Sequence, residues 1–147
     1  MIDITLLARE RLLDRCRHLL PVIGLAAAYA ALAALPKTMP AAYVLPLGET
    51  GGASDANEGT VQFDRCTFGV VLMVQHAGDL AGAKATAALQ QLRVAVQAVL
   101  VGWQPVPTTD LPLEFAGGAL LSSADSAVIW RDDFSLQRLR VAAHQAT

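Results

Sequence analysis

Thr60-Val-Gln-Phe-Asp-Arg-Cys-Thr-Phe-Gly-Val-Val-Leu-Met-Val-Gln75 reads as one long strand whose two halves have different jobs. In the first half Val61 and Phe63 alternate with Gln62 and Asp64, which gives one apolar face. From Phe68 to Val74 both faces are apolar apart from Gly69, the pattern of a strand buried on both sides. The second half is therefore expected at the centre of a sheet. The first half is expected to project, with one face in solvent or on a neighbour. Upstream, Pro40-Ala-Ala-Tyr-Val-Leu-Pro-Leu47 holds a short strand, Ala42–Leu47, fenced by prolines that argue for a sheet edge. Residues 48–59 are rich in Gly, Ser, Asp and Asn and read as a mobile loop. The pieces add up to a projecting β-hairpin, a shape suited to assembly.

The rest of the chain frames this hairpin. Asp3 can cap an amphipathic helix running to about Leu20, with Leu6, Leu13 and Leu20 recurring at seven and Leu12, Cys16 and Leu19 widening the stripe. Gly24–Leu35 reads as a short Ala-rich helix stopped by Pro36. His76–Asp79 reads as a turn. Lys84–Val101 is the main helix, with Leu89, Leu92, Val96, Val99 and Leu100 on one stripe and Gly102 at its end. Gln104–Pro112 is a proline-rich connector. Leu113–Ser122 and Ala127–Arg140 are two further strands, joined by a turn at Ser122–Ser126 and bent at Gly117-Gly118. Residues 142–147 read as a frayed tail. The order α-α-β-β-α-β-β predicts a single α+β domain over 1–147. Its sheet should have about four mainly antiparallel strands, with two long helices packed on one face.

Composition bounds the function. The chain has 147 residues and a net charge of −2, which gives no electrostatic reason to expect binding to nucleic acid or a membrane surface. Its charged fraction is 16%, against about 25% in an average soluble domain. Neutral surface is therefore available for a partner, and homo-oligomerisation accounts for it most simply. Cys16 and Cys66 lack the spacing of a disulfide framework or a zinc site. The apolar run Val22–Leu35 is shorter than the ~20 residues that span a bilayer, and the segment before it carries Asp3, Glu10 and Asp14, unlike a basic signal region. It reads as soluble.

A catalytic set is not visible. The glycine-rich loop lacks the Gly-Lys-Ser/Thr of a phosphate loop and does not run from a strand into a helix. His18, His76 and His144 have no ligand spacing, although His76 lies near a strand end where a base can sit. Ser122 and Ser123 lie in a turn with no His/Asp arrangement around them. Asp132 and Asp133 are adjacent in a strand and point to opposite faces, so they cannot converge on one metal or proton. With Arg131, Arg138 and Arg140 they read as a charged edge, which either blunts sheet-to-sheet pairing or sets register against a neighbouring subunit. Arg9, Arg11, Arg15 and Arg17 make a basic helix face with acidic residues interleaved and no aromatic between them, which reads as solvated.

The order of these pieces resembles a known family. The Pro-Ala-Ala-Tyr-Val-Leu-Pro strand at 40–46 is followed by a variable loop and by Phe68-Gly-Val-Val-Leu-Met-Val74. A Leu-Xaa-Xaa-Leu-Arg helix then carries Leu89, Leu92 and Arg93 into Leu100-Val-Gly-Trp103. Pro-Leu-Glu-Phe at 112–115 precedes Gly118-Ala-Leu-Leu121, and a Trp130 strand runs to Phe134. The arrangement is similar to the tail terminator proteins of long-tailed bacteriophages, and the resemblance spans nearly the whole chain. It implies an α+β protein with no enzymatic activity and no cofactor. It implies a ring, typically a hexamer, that caps the tail tube, ends its polymerisation and offers a surface to head-completion proteins. Such a protein is assembled in the bacterial host cytoplasm and ends in the virion tail, with no need for nucleic acid or membrane. On that reading Val61, Phe63 and Arg65 of the hairpin meet Arg131, Asp132, Asp133 and Arg138 of a neighbour. The loop carrying Glu49, Asp55 and Glu58 meets the tube. The alternatives are a head–tail connector or other tail-completion protein, or a small-molecule-binding α+β domain with a pocket near His76.

Overall fold

The computed structural model describes residues 3–76, 82–124 and 126–143. Helix α1 spans Ile4–Cys16. Asp3 caps it, its Oδ1 accepting from the Thr5 N–H at 2.9 Å and from the Thr5 hydroxyl at 2.7 Å. The side it buries is Ile4, Thr5, Ala8, Leu12 and Cys16. This corrects the expected stripe, because Leu6 is exposed. The small residues Thr5, Ala8 and Cys16 let the helix lie close to the sheet, and the helix stops four residues before Leu20, which is buried from the turn that follows.

The Ala-rich segment is the larger correction. A helix was expected over Gly24–Leu35. The chain instead forms strand β1, Val22–Leu25, and a single helical turn and a half, α2, Ala26–Ala30. β1 lies parallel to the first residues of β2 (Ala41–Thr50), with Val22 opposite Ala41 and Leu25 opposite Val44. Gly24 permits this packing, since a Cβ there would stand 2.9 Å from the Tyr43 ring. Beyond α2 the chain crosses the sheet, where Leu32 and Met39 pack with Tyr43 and Met73. Burial of this second sheet face outweighs the helical preference of alanine.

Strand β3 is Thr60–Gln75, helix α3 is Ala83–Leu100, β4 is Glu114–Ser122 and β5 is Ala127–Ala142. The strands form one five-stranded sheet in the order β1-β2-β3-β5-β4, antiparallel except for β1 with β2. The sheet thus has one strand more than expected, and α1 and α3 share one face as predicted. That face buries Ala42, Val44, Phe68, Val70, Leu72, Phe134 and Leu136 under Leu12, Leu89, Leu92, Val96 and Leu100. The Phe68 and Phe134 rings stack at 5.5 Å in this core. The other face buries Ala41, Tyr43, Val71 and Met73 under the α2 segment, and the Tyr29 and Tyr43 rings meet at 5.6 Å. The second half of β3 is therefore buried on both sides, as its sequence requires.

Glycines mark the helix end and the bend. Gly102, at φ +85°, follows the last turn of α3 and donates its N–H to the Leu113 carbonyl at 2.8 Å, so the chain turns back beneath the helix. At Gly117 (φ +150°) the pairing of β4 with β5 slips by one residue. β2 runs to Thr50, so the loop is shorter than the 48–59 read from composition. β5 reaches Ala142, which shortens the expected tail; residues 144–147, His144 among them, lie outside the described residues, as do 77–81, which include the rest of the turn expected at His76–Asp79.

Candidate assembly surface

The far half of the sheet is carried by a ribbon of β3 paired with β5, with β2 reaching only to Arg65, rather than by a free β2–β3 hairpin. β5 pairs along the full length of β3, from Gln75 opposite Ala127 to Thr60 opposite Ala142. Period-2 alternation sends one set of side chains to the helix side and the other outward. On the helix side the ribbon is polar and closed. Asp64 is buried and accepts hydrogen bonds from Gln62 and from Arg140. These bonds, Gln62's first, hold its carboxyl below the usual carboxylate value. Arg138 is buried and clamps Asp110 of the connector through Nε to Oδ1 at 2.6 Å and Nη2 to Oδ2 at 2.9 Å. The hydrogen bonds that Arg138 donates to Asp110 raise its pKa above the ordinary arginine value. Cys66 donates through Sγ to Glu49 Oε1 at 3.4 Å. Burial, with Glu49 adding to it, pushes this thiol up to about 11.

On the outward side the ribbon is apolar and open. Phe63 stands opposite Leu139, and Val61 opposite Val141. Directly opposed residues lie about 4.5–5.5 Å apart at Cβ, so the four form one patch. Phe63 is 43% exposed, Val61 38% and Val141 66%. The sequence reading had correctly given β3 one apolar face here, and that face points to solvent while the polar face points in. The reason is charge pairing: once Asp64, Arg138 and Arg140 are tied to Gln62, Asp110 and each other on the helix side, parity leaves Val61 and Phe63 no other direction. Contiguous exposed apolar side chains on a small domain mark an interaction site.

The polar residues singled out from sequence divide into two groups. Arg65 is exposed beside the patch, its Nη1 donating to the Ser135 hydroxyl at 2.8 Å. Arg131 and Asp133 pair on the same outward face at 2.7 Å. Glu49 is exposed at the end of β2, and Asp55 and Glu58 are exposed in the loop, where the Gly52 and Asp55 amides donate to the Phe63 and Val61 carbonyls. Asp132 and Arg138 are not at a surface. Asp132 is fully buried and receives Arg93 Nε at 3.1 Å, Gln97 Nε2 at 3.2 Å and the Trp130 indole N–H at 2.8 Å. The charged-edge reading of the last strand is thereby corrected, because β5 lies between β3 and β4 and its far half is bridged to Asp110.

Other charges are also internal. Arg9 donates to the Ile23 carbonyl at 2.9 Å, and Arg11 donates to the Val99 carbonyl at 2.7 Å while lying over the Trp103 ring. Half of the expected solvated basic face thus ties α1 to its neighbours. Leu139 and Val141 were missed from sequence. Their signal was present, since they alternate with Arg138 and Arg140. Exposed Phe115, Leu120 and Leu121 on β4 were missed as well.

Around the ribbon lie two depressions of about 430 Å³, one lined by Thr5, Glu49, Cys66 and Arg138, the other by Asp64, Thr109, Arg138 and Val141. His76 lines neither; its amide donates to the Ser126 carbonyl at 2.8 Å. Among the described residues no group of three or more His, Cys, Asp or Glu is placed to hold a metal, and no helix is long and apolar enough to cross a membrane.

Comparison with known proteins places this architecture. A family model described as "Phage tail terminator protein" matches residues 1–143. No curated protein matches the sequence. A chain of the solved structure described as "Virion of native gene transfer agent (GTA) particle" has a similar fold, with a TM-score of 0.60 at 15% identity over 93% of this chain and 95% of that one.

Proposed function

This chain belongs to the phage tail terminator family, whose members are structural proteins of phage-type tails, and from that premise we propose that it acts as a single domain that closes into a ring on the end of the tail tube. The ring ends tube polymerisation and presents a surface to the head-completion protein. Assembly takes place in the cytoplasm of the bacterial host. The observation that carries this reading is the outward apolar patch of Val61, Phe63, Leu139 and Val141, while among the described residues the buried polar side chains have internal partners. Subunits meet through that patch, with Arg65 at its border and the Arg131–Asp133 pair further along the same face setting register. Asp132 and Arg138 support the interface from within the subunit. Asp55 and Glu58, in the loop at the tip of the ribbon, face the tube, with Glu49 set back opposite Cys66. A ring requires head-to-tail contacts that close on themselves, and six subunits is the number we expect.

Native mass spectrometry across a concentration series, with electron microscopy of tubes incubated with the protein, tests the reading. The expected result is a closed ring, free or on one tube end, and tubes that stop growing once capped. Tubes that elongate unchanged, with the protein monomeric and unbound, would sink it. Binding to the head side of an already capped tail would favour a head–tail connector instead.

A further inference from the structure

The outermost strand of the sheet carries two register shifts but none of the other protection that edge strands normally have. β4 pairs with β5 on one side only, and none of its nine residues is buried. Natural edges are blunted with Lys, Pro, β-bulges, a covering segment or inward charges, and of these β4 has only the bulges. Glu114-Phe-Ala-Gly-Gly-Ala-Leu-Leu-Ser122 has one charge and no Pro or Lys, and it exposes Phe115, Leu120 and Leu121. Its register shifts fall at Phe115/Gly117 and Leu120/Ser122, so Gly117–Leu120 remain in step and can pair outward.

We propose that β4 receives the open part of β2, Leu45–Thr50, from a second copy of this chain, so that the sheet continues from one subunit to the next. This rests on the ring reading above and specifies one of its contacts. The occupant follows from the topology. Besides β4, the open strand edges are β2 beyond Val44 and the four-residue β1. β1 is already capped, because its Ile23 carbonyl accepts from Arg9. The free stretch of β2 has no covering segment; Pro46 and the shift after it interrupt its edge, so Gly48–Thr50 carry the outward pairing, beside Leu47, which is 38% exposed. Direction agrees as well. β2, β3, β5 and β4 are antiparallel in succession. β4 therefore runs opposite to β2, and subunits pointing the same way around a ring would pair these strands antiparallel, the pattern with straight hydrogen bonds.

The two edges lie on opposite sides of one sheet, which makes the contact head-to-tail and closable. β4 stands level with Thr67–Met73 of β3, and the free part of β2 with Arg65–Gly69. The pairing therefore needs a stagger along the strands, which tilted strands in a closed sheet have. Size sets a further condition. A stable interface covers roughly 800 Å² per partner, and a nine-residue edge is a strip only about 30 Å long. The strand pairing supplies register, and the apolar ribbon face supplies the remaining area.

Short bismaleimide crosslinking of full-length Leu47→Cys/Leu120→Cys, with tail tubes present, reads this contact. Native Cys16 and Cys66 are buried and stay silent. The expected result is a covalent ladder from the double variant and monomers from each single variant. A ring in native mass spectrometry without a ladder overturns the strand pairing and leaves the ring reading intact. Covalent dimers from Leu120→Cys alone overturn it in favour of a twofold β4–β4 contact. Neither ring nor ladder overturns both. As an independent check, Leu121→Lys, at an exposed position, should abolish the ring at least tenfold in concentration dependence with an unchanged circular-dichroism spectrum. A ring of undiminished strength in that variant also overturns the proposal.

Discussion

Arg138 of β5 and Asp110 of the connector form a buried, two-bonded ion pair, with Nε–Oδ1 at 2.6 Å and Nη2–Oδ2 at 2.9 Å. The pair seals the outer side of β5 below β4, where the Leu111 amide donates to the Gln137 carbonyl and the Leu139 amide to the Thr109 carbonyl. Asp110 Oδ2 also accepts from the Val106 amide at 2.8 Å, so one carboxylate holds the turn of the connector and its docking together.

Removing one member of such a pair strands the other. Asp110→Ala should destabilise the fold by about 3–5 kcal/mol, measured by urea unfolding, because Arg138 is left buried without its counter-charge. Arg138→Glu should be at least as damaging, since it sets two carboxylates together. Arg131→Glu disturbs a half-buried surface pair and should cost about 1 kcal/mol or less in stability. Equal losses in the two arginine variants would show that the Arg138 pair is not the special one.

The ribbon patch is predicted to serve association and not folding. Phe63→Glu changes a 43% exposed side chain. Its effect on unfolding free energy should stay within about 0.5 kcal/mol, while ring formation in native mass spectrometry is lost. A variant that unfolds instead would mean that Phe63 supports the sheet itself.

Gly118 sits where no side chain fits. A Cβ there would come within 2.7 Å of Asp132 Oδ1 and 2.9 Å of the Trp130 ring. Gly118→Ala should therefore push on the Asp132–Arg93–Trp130 cluster and cost about 1–3 kcal/mol in thermal or urea unfolding. A neutral result would mean that β4 moves away from β5 easily at this point.

Stability should fall at both ends of the pH scale, for separate reasons. Asp3 and Asp64 have folded pKa values below their unfolded ones, Asp3 through the Thr5 hydroxyl and Asp64 through Gln62 and then Arg140. Their contribution is present above the unfolded carboxylate value of about 3.9 and is lost as pH falls through the folded values. Cys66 is shifted the other way, from 9.0 to about 11. Its contribution is present below 9.0 and is lost as pH rises toward about 11. Urea midpoints measured from pH 2 to 11 should give a plateau with two shoulders. Asp64→Asn should soften the acid shoulder, and Cys66→Ala should remove part of the alkaline one. An alkaline shoulder unchanged in Cys66→Ala would assign it to other groups.

Much of the fold was legible because local pattern and burial agree there. Phe68–Val74 could only be a doubly buried strand, and Leu89, Leu92, Val96 and Leu100 could only be one helix face. β1 was not legible: Val22-Ile23-Gly24-Leu25 is too short to show a period, and the alanines after it point to helix. The candidate surface was half legible. Val61 and Phe63 were identified as one apolar face of a projecting segment, and Arg65 lies beside them, whereas Arg131 and Asp133 stand on the same sheet face further along, opposite Val71 and Gly69. Asp132 and Arg138 look the same in sequence, yet their partners Arg93 and Asp110 are 39 and 28 residues away, and no local rule pairs them.

The sequence by itself determined the order of elements apart from β1, the stripe of α3, the bend at Gly117-Gly118 and the centre of the sheet, because each follows from periodicity or from a single residue's backbone limits. Only the tertiary structure decided which face of the Thr60–Thr67 segment meets water. Alternation says that two faces differ; it does not say which is inside. The buried pairing of Arg138 with Asp110, and the tie of buried Asp64 to Arg140 and Gln62, settle that choice, because a charge removed from water must find its partner, and the apolar residues between these charges are then turned out toward a neighbour.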